Sequence, residues 1–258
     1  MTDTLGALLD VIDGAAVTGF VVFLRIAAAM AFLPGFGEAT VPARVKLAVA
    51  VAFTAVVAPA VSPAIAPVSD NPAALFSCLW TETLIGLAIG VVLRLMVIAL
   101  EVAGTIAAQS TSLSQLFGAG GEPMPSMSHL LVTAGLALAM MAGLHTRIAG
   151  LFIISYKVLP PATMPGAESM SSWGLRHIAH GFAFAFSLAA PFVLVSAIYN
   201  VALGAINRAM PQLMVSFVGA PALTAGALIL LAIAAPTALT LWLGGLDALF
   251  ADPFGVPA

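Results

Sequence analysis

The sequence predicts an all-α protein: a polytopic helical membrane protein of long, kinked helical hairpins. Three observations carry that prediction. Hydrophobic residues make up 62% of the 258 and charged residues only 7%, with a mean hydropathy of +1.13, whereas a soluble domain carries about 25% charged residues. Several apolar runs exceed the roughly 20 residues that cross a hydrocarbon core. These runs are continuous rather than alternating, so they read as helices and not as the period-2 strands of a barrel.

Taken in order, Leu5, Leu8, Leu9 and Ile12 recur at i, i+3, i+4 and i+7, a short amphipathic helix. The first apolar segment follows over about Ala15 to Leu33, with Arg25 inside it and Pro34-Gly35 ending it. A connection with Glu38, Arg44 and Lys46 leads to the second segment, about Val45 to Ala58. The proline-rich stretch APAVSPAIAPVSDNP then reads as an extended, exposed loop. Asn71-Pro72 starts the next helix, Asn as N-cap and Pro at the first helical position.

The third segment, about Pro72 to Ala108, is long and holds Glu82, Arg94 and Glu101. Gly86, Gly90 and Arg94 follow one another every four residues, and small residues at that spacing let two helices approach closely. Arg94 and Glu101 lie two turns apart, too far to pair, so each needs a partner elsewhere. The fourth segment runs about Ser128 to Tyr156, with Ser128 as N-cap, a second small-residue stripe (Gly135, Ala139, Gly143) and His145 and Arg147 inside. After the loop KVLPPATMPGAES comes the fifth, about Ser172 to Ile206. The break NRAMPQ separates it from the sixth, Leu213 to about Phe250, interrupted by Gly219, Pro221 and Pro236.

Between the two sets of three lies QSTSLSQLFGAGGEPMPSMS, Gln109 to Ser128. A connection of this length inside a compact protein is functional or disordered. Its glycines (Gly118, Gly120, Gly121) allow displacement, and Leu113, Leu116, Phe117, Met124 and Met127 supply apolar contacts; such a loop can seal a passage and still move aside. The whole chain, 1–258, is expected to form one domain: front helices over 1–108, the central loop over 109–128, and rear helices over 129–206 and 207–258.

Basic residues should collect in alternate loops. Arg44 and Lys46 suit an outside N-terminus, but Arg147, Lys157 and Arg176 surround a connection that six strict crossings would also place outside. Charges facing lipid cost about 2.5–3.5 kcal/mol on insertion scales. Arg25, Glu82, Arg94, Glu101, Arg147 and Arg208 are therefore expected to face protein or water, as in a subunit of a larger assembly.

Enzyme chemistry is absent: there is no HExxH, GxSxG, P-loop or Cys/His metal spacing. His177 and His180 share a helical face but lack a third ligand. His145 is expected to be an interhelical polar contact. No cofactor and no metal are expected. With a net charge of −3 and no basic stripe there is no nucleic-acid footprint. The one cysteine, Cys78, cannot form an internal disulfide. The acidic start lacks the positive region of a signal peptide, so no cleavage is expected.

Three stretches resemble the FliR family of flagellar type III export-gate subunits and its virulence-secretion relatives. They are VPARVKLAVAVAFTAVVAP (Val41 to Pro59), ETLIGLAIGVVLRLMVIALEVAGTIAAQSTSLSQLF (Glu82 to Phe117) and, most specific, NRAMPQLMVSFVGAP (Asn207 to Pro221). The G-x-P ending leans flagellar, while GAGGEPMP is more glycine-rich than the family's central loop. The resemblance implies a non-enzymatic subunit in the bacterial inner membrane and flagellar basal body. It would join FliP and FliQ in a channel for unfolded export substrates, with FlhB on the cytoplasmic side. Its front would be P-like, its last hairpin Q-like and its central loop a plug. Contacts to neighbouring subunits would fall on the motif residues Arg44, Lys46, Gly86, Gly90, Arg94, Glu101, His145, Asn207, Arg208, Pro211, Gln212, Gly219 and Pro221. The rival reading from another class is a small secondary transporter using Arg94, Glu101 and His145 as a substrate or proton path.

Overall fold

The computed structural model describes residues 2–69, 71–111, 126–210 and 215–255, with side-chain surroundings left aside for 2–13 and 215–221. Among the described residues there are seven helices and no strand: α1 (Thr2–Met30), α2 (Ala43–Ser69), α3 (Pro72–Ser110), α4 (Ser126–Met141), α5 (Leu144–Val158), α6 (Ala167–Ala209) and α7 (Val215–Ala251). Four of them, α2, α3, α6 and residues Ala222–Ala251 of α7, are long and apolar enough to cross a membrane, and the bent pair α4–α5 makes a fifth if counted as one span. This is an all-α polytopic membrane protein. Of the six expected segments the fourth is broken, and the first is represented among the described residues by the apolar helix Gly14–Met30.

The lead-in and first segment form one helix, α1, not two. The largest correction concerns the proline-rich loop, which is helical: α2 continues to Ser69 through Pro59, Pro63 and Pro67. The rings fall every four residues and all three are exposed on one face, while Val57, Val61 and Ile65 are buried on another. A proline removes the donor for the carbonyl four residues back. For Pro63 that carbonyl belongs to Pro59, and the Ser62 hydroxyl donates to it at 3.1 Å. Hydroxyl side chains satisfy such freed groups in membrane helices, so tertiary packing overrides the proline signal. α7 likewise passes through Gly219, Pro221 and Pro236 without a break.

The start of α3 is as expected. Asn71 Oδ1 accepts from the backbone N–H of Ala73 (3.0 Å) and Ala74 (3.3 Å), and Pro72 is the first helical residue. The fourth segment, by contrast, divides into α4 and α5 at Gly143, whose φ is +82°. Glycine adopts this left-handed conformation without steric penalty, so the last member of that small-residue stripe ends a helix instead of extending its face.

The chain forms two compact units. One comprises residues 1–95, 140–177 and 250–257; the other comprises 96–139 and 178–249. In the first, α2 packs on α1 and α5, and α3 lies directly against α1. A Cβ on Gly90 would sit 2.6 Å from the Ala29 carbonyl oxygen, and one on Gly86 would fall onto the carbonyl of Arg25. The chain end closes this unit: the Trp173 indole N–H donates to the Pro253 carbonyl at 3.3 Å, and its ring stacks on Phe254.

In the second unit Trp242 is 1% exposed and its indole N–H donates to the Met96 carbonyl at 2.7 Å. Gly135 makes room for Leu100 and Trp242, and Gly104 lies on the backbone of Ser128. Ser128 is therefore not an N-cap. α4 starts two residues earlier, and the buried Ser128 hydroxyl donates to the Glu101 carbonyl at 2.9 Å, tying α4 to α3.

Candidate functional site

The most developed polar site lies in the first unit, around Arg25. Its side chain and that of Glu82 are both 0% exposed. Arg25 Nε donates to Glu82 Oε2 at 2.7 Å, one terminal nitrogen to the Ser155 hydroxyl at 2.8 Å and the other to the Leu159 carbonyl at 3.0 Å. The guanidinium carbon sits 3.6 Å from the centre of the Tyr156 ring, a cation–π contact. The Tyr156 hydroxyl donates to the same Glu82 oxygen at 3.1 Å. One cation thus ties α1 to α3, α5 and the α5–α6 connection. The fork of Arg, with five donors, suits this task as a lysine would not. The sequence raised Arg25 and Glu82 only as charges needing cover. Opposite signs in the first and third apolar segments were the available signal for pairing them.

A second ion pair joins Arg94 of α3 to Glu38 in the α1–α2 connection. Lys46 donates to the Gly37 carbonyl at 2.9 Å in the same connection. The Glu38 and Arg94 side chains are about one quarter exposed, 26% and 27%. Exposed pairs couple by about 0.2–1 kcal/mol in double-mutant cycles. A Glu38→Gln/Arg94→Gln cycle read by thermal unfolding in detergent is expected to fall in that range, and a coupling above it would mean the pair is far better shielded than this exposure implies.

Other motif residues are more dispersed. Arg44 is exposed in the first turn of α2, and Asn207 and Arg208 are exposed in the last turn of α6. His145 is exposed at the start of α5. His177 is buried and bonded to the Trp173 carbonyl, whereas His180 stacks on Phe184. The two rings therefore have separate neighbours, and among the described residues no His/Cys/Asp/Glu group could hold a metal. Glu101 is half-buried, and its carboxylate has no bonding partner among the described residues. Pro211 and Gln212 lie outside the described residues, as do the surroundings of Gly219 and Pro221.

Most of the central stretch, Leu113, Leu116, Phe117, Gly118, Gly120, Gly121 and Met124 included, also lies outside the described residues. Its flanks do not. Met127, read from sequence as a loop residue, is in the first turn of α4 and only 3% exposed. It joins Ala107, Ala108, Phe192, Ala227 and Leu231 in one apolar cluster. Thr111 is 2% exposed, and the Ser196 hydroxyl donates to the Ser110 carbonyl. The chain thus leaves α3 and re-enters α4 from the same cluster in the second unit. The Met127 side chain is thus packed within the described helices at the start of α4.

Residues 16–249 match the family described as bacterial export proteins, family 1. The chain is similar to the flagellar biosynthetic protein FliR of Caulobacter vibrioides, 31% identical over 205 residues that cover 78% of this chain and 81% of the relative. It is 29% identical to that of Escherichia coli, covering 77% and 76%, and 28% identical to that of Aquifex aeolicus, covering 83% of each. The match spans both compact units and includes every residue of the Arg25 network, and on that extent the chain belongs to the bacterial export proteins, family 1, alongside the FliR proteins.

Proposed function

We propose that this chain is a non-enzymatic subunit of the flagellar type III protein export gate in the bacterial inner membrane. With FliP and FliQ it builds a channel for unfolded export substrates, FlhB lies at its cytoplasmic side, and the segment between α3 and α4 plugs the channel when closed. The observation that carries this reading is the family match over nearly the whole chain, shared with relatives whose names are flagellar.

Two structural features support it. Long apolar faces are left uncovered, as on α6, where Leu194, Ile198 and Val201 are 62%, 70% and 75% exposed; such faces suit lipid or neighbouring subunits. The described flanks of the central stretch, Ala107 and Ala108 at the end of α3 and Met127 at the start of α4, are buried in one apolar cluster, a fixed frame that suits a plug. Arg208, Asn207, Arg44 and Glu101 remain the charged and polar groups for contacts between subunits. The transporter reading loses support because Arg94 is already engaged by Glu38.

Deleting Gly118 to Pro123 tests the plug. Ion leak across the membrane is expected to rise while flagellar protein export is partly retained in the same cells. If leak and export both stay at wild-type level, the segment does not close a channel. Co-purification with FliP and FliQ homologues tests the assembly, and an active monomer in detergent would count against it.

A further inference from the structure

A crevice of about 290 Å³ opens in the first unit between α3, the end of α5, the start of α6 and the chain end. Ile85, Ala88 and Ile89 of α3 form one side. Met170 and Trp173 of α6 form another, and Phe254 is fixed there by the Trp173 stack and the Trp173–Pro253 hydrogen bond. The single cation lining it is Arg176. Arg176 is exposed and has no ion-pair partner among the described residues. The carboxylates of Glu168 and Asp252 do not line the crevice.

We infer that this crevice holds the headgroup-proximal half of one acyl chain of an anionic phospholipid, with the headgroup phosphate on Arg176 and the chain end leaving into the bilayer. Size decides against a partner helix. A helix with its side chains is about 10–12 Å across, so a single turn already fills roughly 400 Å³. The crevice instead accommodates about ten groups the size of a water or a methylene. Charge decides the headgroup: an unpaired guanidinium matches phosphate in geometry and sign. Composition agrees, since tryptophan and basic residues gather where membrane meets water, and Trp173, Arg176 and the exposed Lys157 lie at adjoining helix ends. The site is preformed, because its walls are held by hydrogen bonding and stacking within the protein.

The test uses the full chain in nanodiscs of phosphatidylcholine with lipids brominated on the acyl chain, which quench indole fluorescence on contact. Trp80, 72% exposed, is replaced in a Trp80→Phe background, and Trp242 is shielded at 1% exposure, leaving Trp173 as the reporter. Half-maximal quenching is expected at about a fivefold lower mole fraction of brominated phosphatidylglycerol than of brominated phosphatidylcholine, the factor for one basic residue beside an anionic headgroup. Arg176→Gln, at an exposed position, is expected to remove that preference. Ala88→Phe fills the crevice and is expected to reduce quenching by both lipids. Equal quenching by the two lipids overturns the inference, as does a phosphatidylglycerol preference that survives Arg176→Gln. Absence of quenching by either overturns it too, and would mean that a protein side chain occupies the crevice.

Discussion

Replacing Arg25 with methionine is expected to destabilise the protein by about 3–5 kcal/mol, the loss seen when one partner of a buried ion pair is removed. The size follows from what remains. Glu82, fully buried, keeps the Tyr156 hydroxyl on one oxygen, while its other oxygen already has no partner. The Leu159 carbonyl loses its donor, and the Tyr156 ring loses the cation on its face. Adding Glu82→Leu to Arg25→Met is expected to recover most of that loss, because an apolar pair of similar volume avoids the desolvation of two charges. Recovery should stop short of wild type. The Leu159 carbonyl and Tyr156 hydroxyl stay unsatisfied, at about 1 kcal/mol each or somewhat more. Thermal unfolding in detergent measures all three proteins. A double variant no more stable than Arg25→Met alone would show that the pair's value lies in fixing the α5–α6 connection and not in compensating charge.

That network was half legible in the sequence. Charges inside apolar segments announce a need for cover, so Arg25 and Glu82 stood out. Pairing them required knowing that α1 meets α3, and the Gly86–Gly90 spacing held that information without naming α1 as the partner. Arg94 shows the same limit. Its partner, Glu38, sits 56 residues away in a connection, and periodicity is blind to loops. The prolines of α2 misled for a physical reason: local propensity forbids them in a helix, but a buried opposite face and the Ser62 hydroxyl make up the difference. Gly143 misled in the opposite sense. As part of a small-residue stripe it suggested packing, whereas its left-handed φ ends a helix. The motif that best marked the family, Asn207 to Pro221, lies where the structure describes few side chains. It identifies the chain without explaining what those side chains do.

Gly86→Ala is expected to be the most damaging small substitution in α3, at about 1–3 kcal/mol or more for overpacking a tight contact. The added methyl falls on the Arg25 carbonyl and within 3.0 Å of the Ala28 side chain. Backbone cannot swing aside as a side-chain tip can, so α1 and α3 must separate. Gly150 provides the opposite case. It lies inside α5 with nothing within 4 Å of an added Cβ, so Gly150→Ala should stabilise by roughly 0.5–1 kcal/mol through helix propensity alone. The two substitutions add the same methyl to a glycine in a helix, and opposite signs would isolate packing from propensity. The collision can also be separated from the ion pair beside it. Gly86 touches the backbone of Arg25, so Gly86→Ala should carry the same penalty in the Arg25→Met/Glu82→Leu protein as in wild type. A penalty that disappears there would mean the methyl acts by misplacing the guanidinium. The glycine would then serve the buried charge pair, and close helix approach would be only its means.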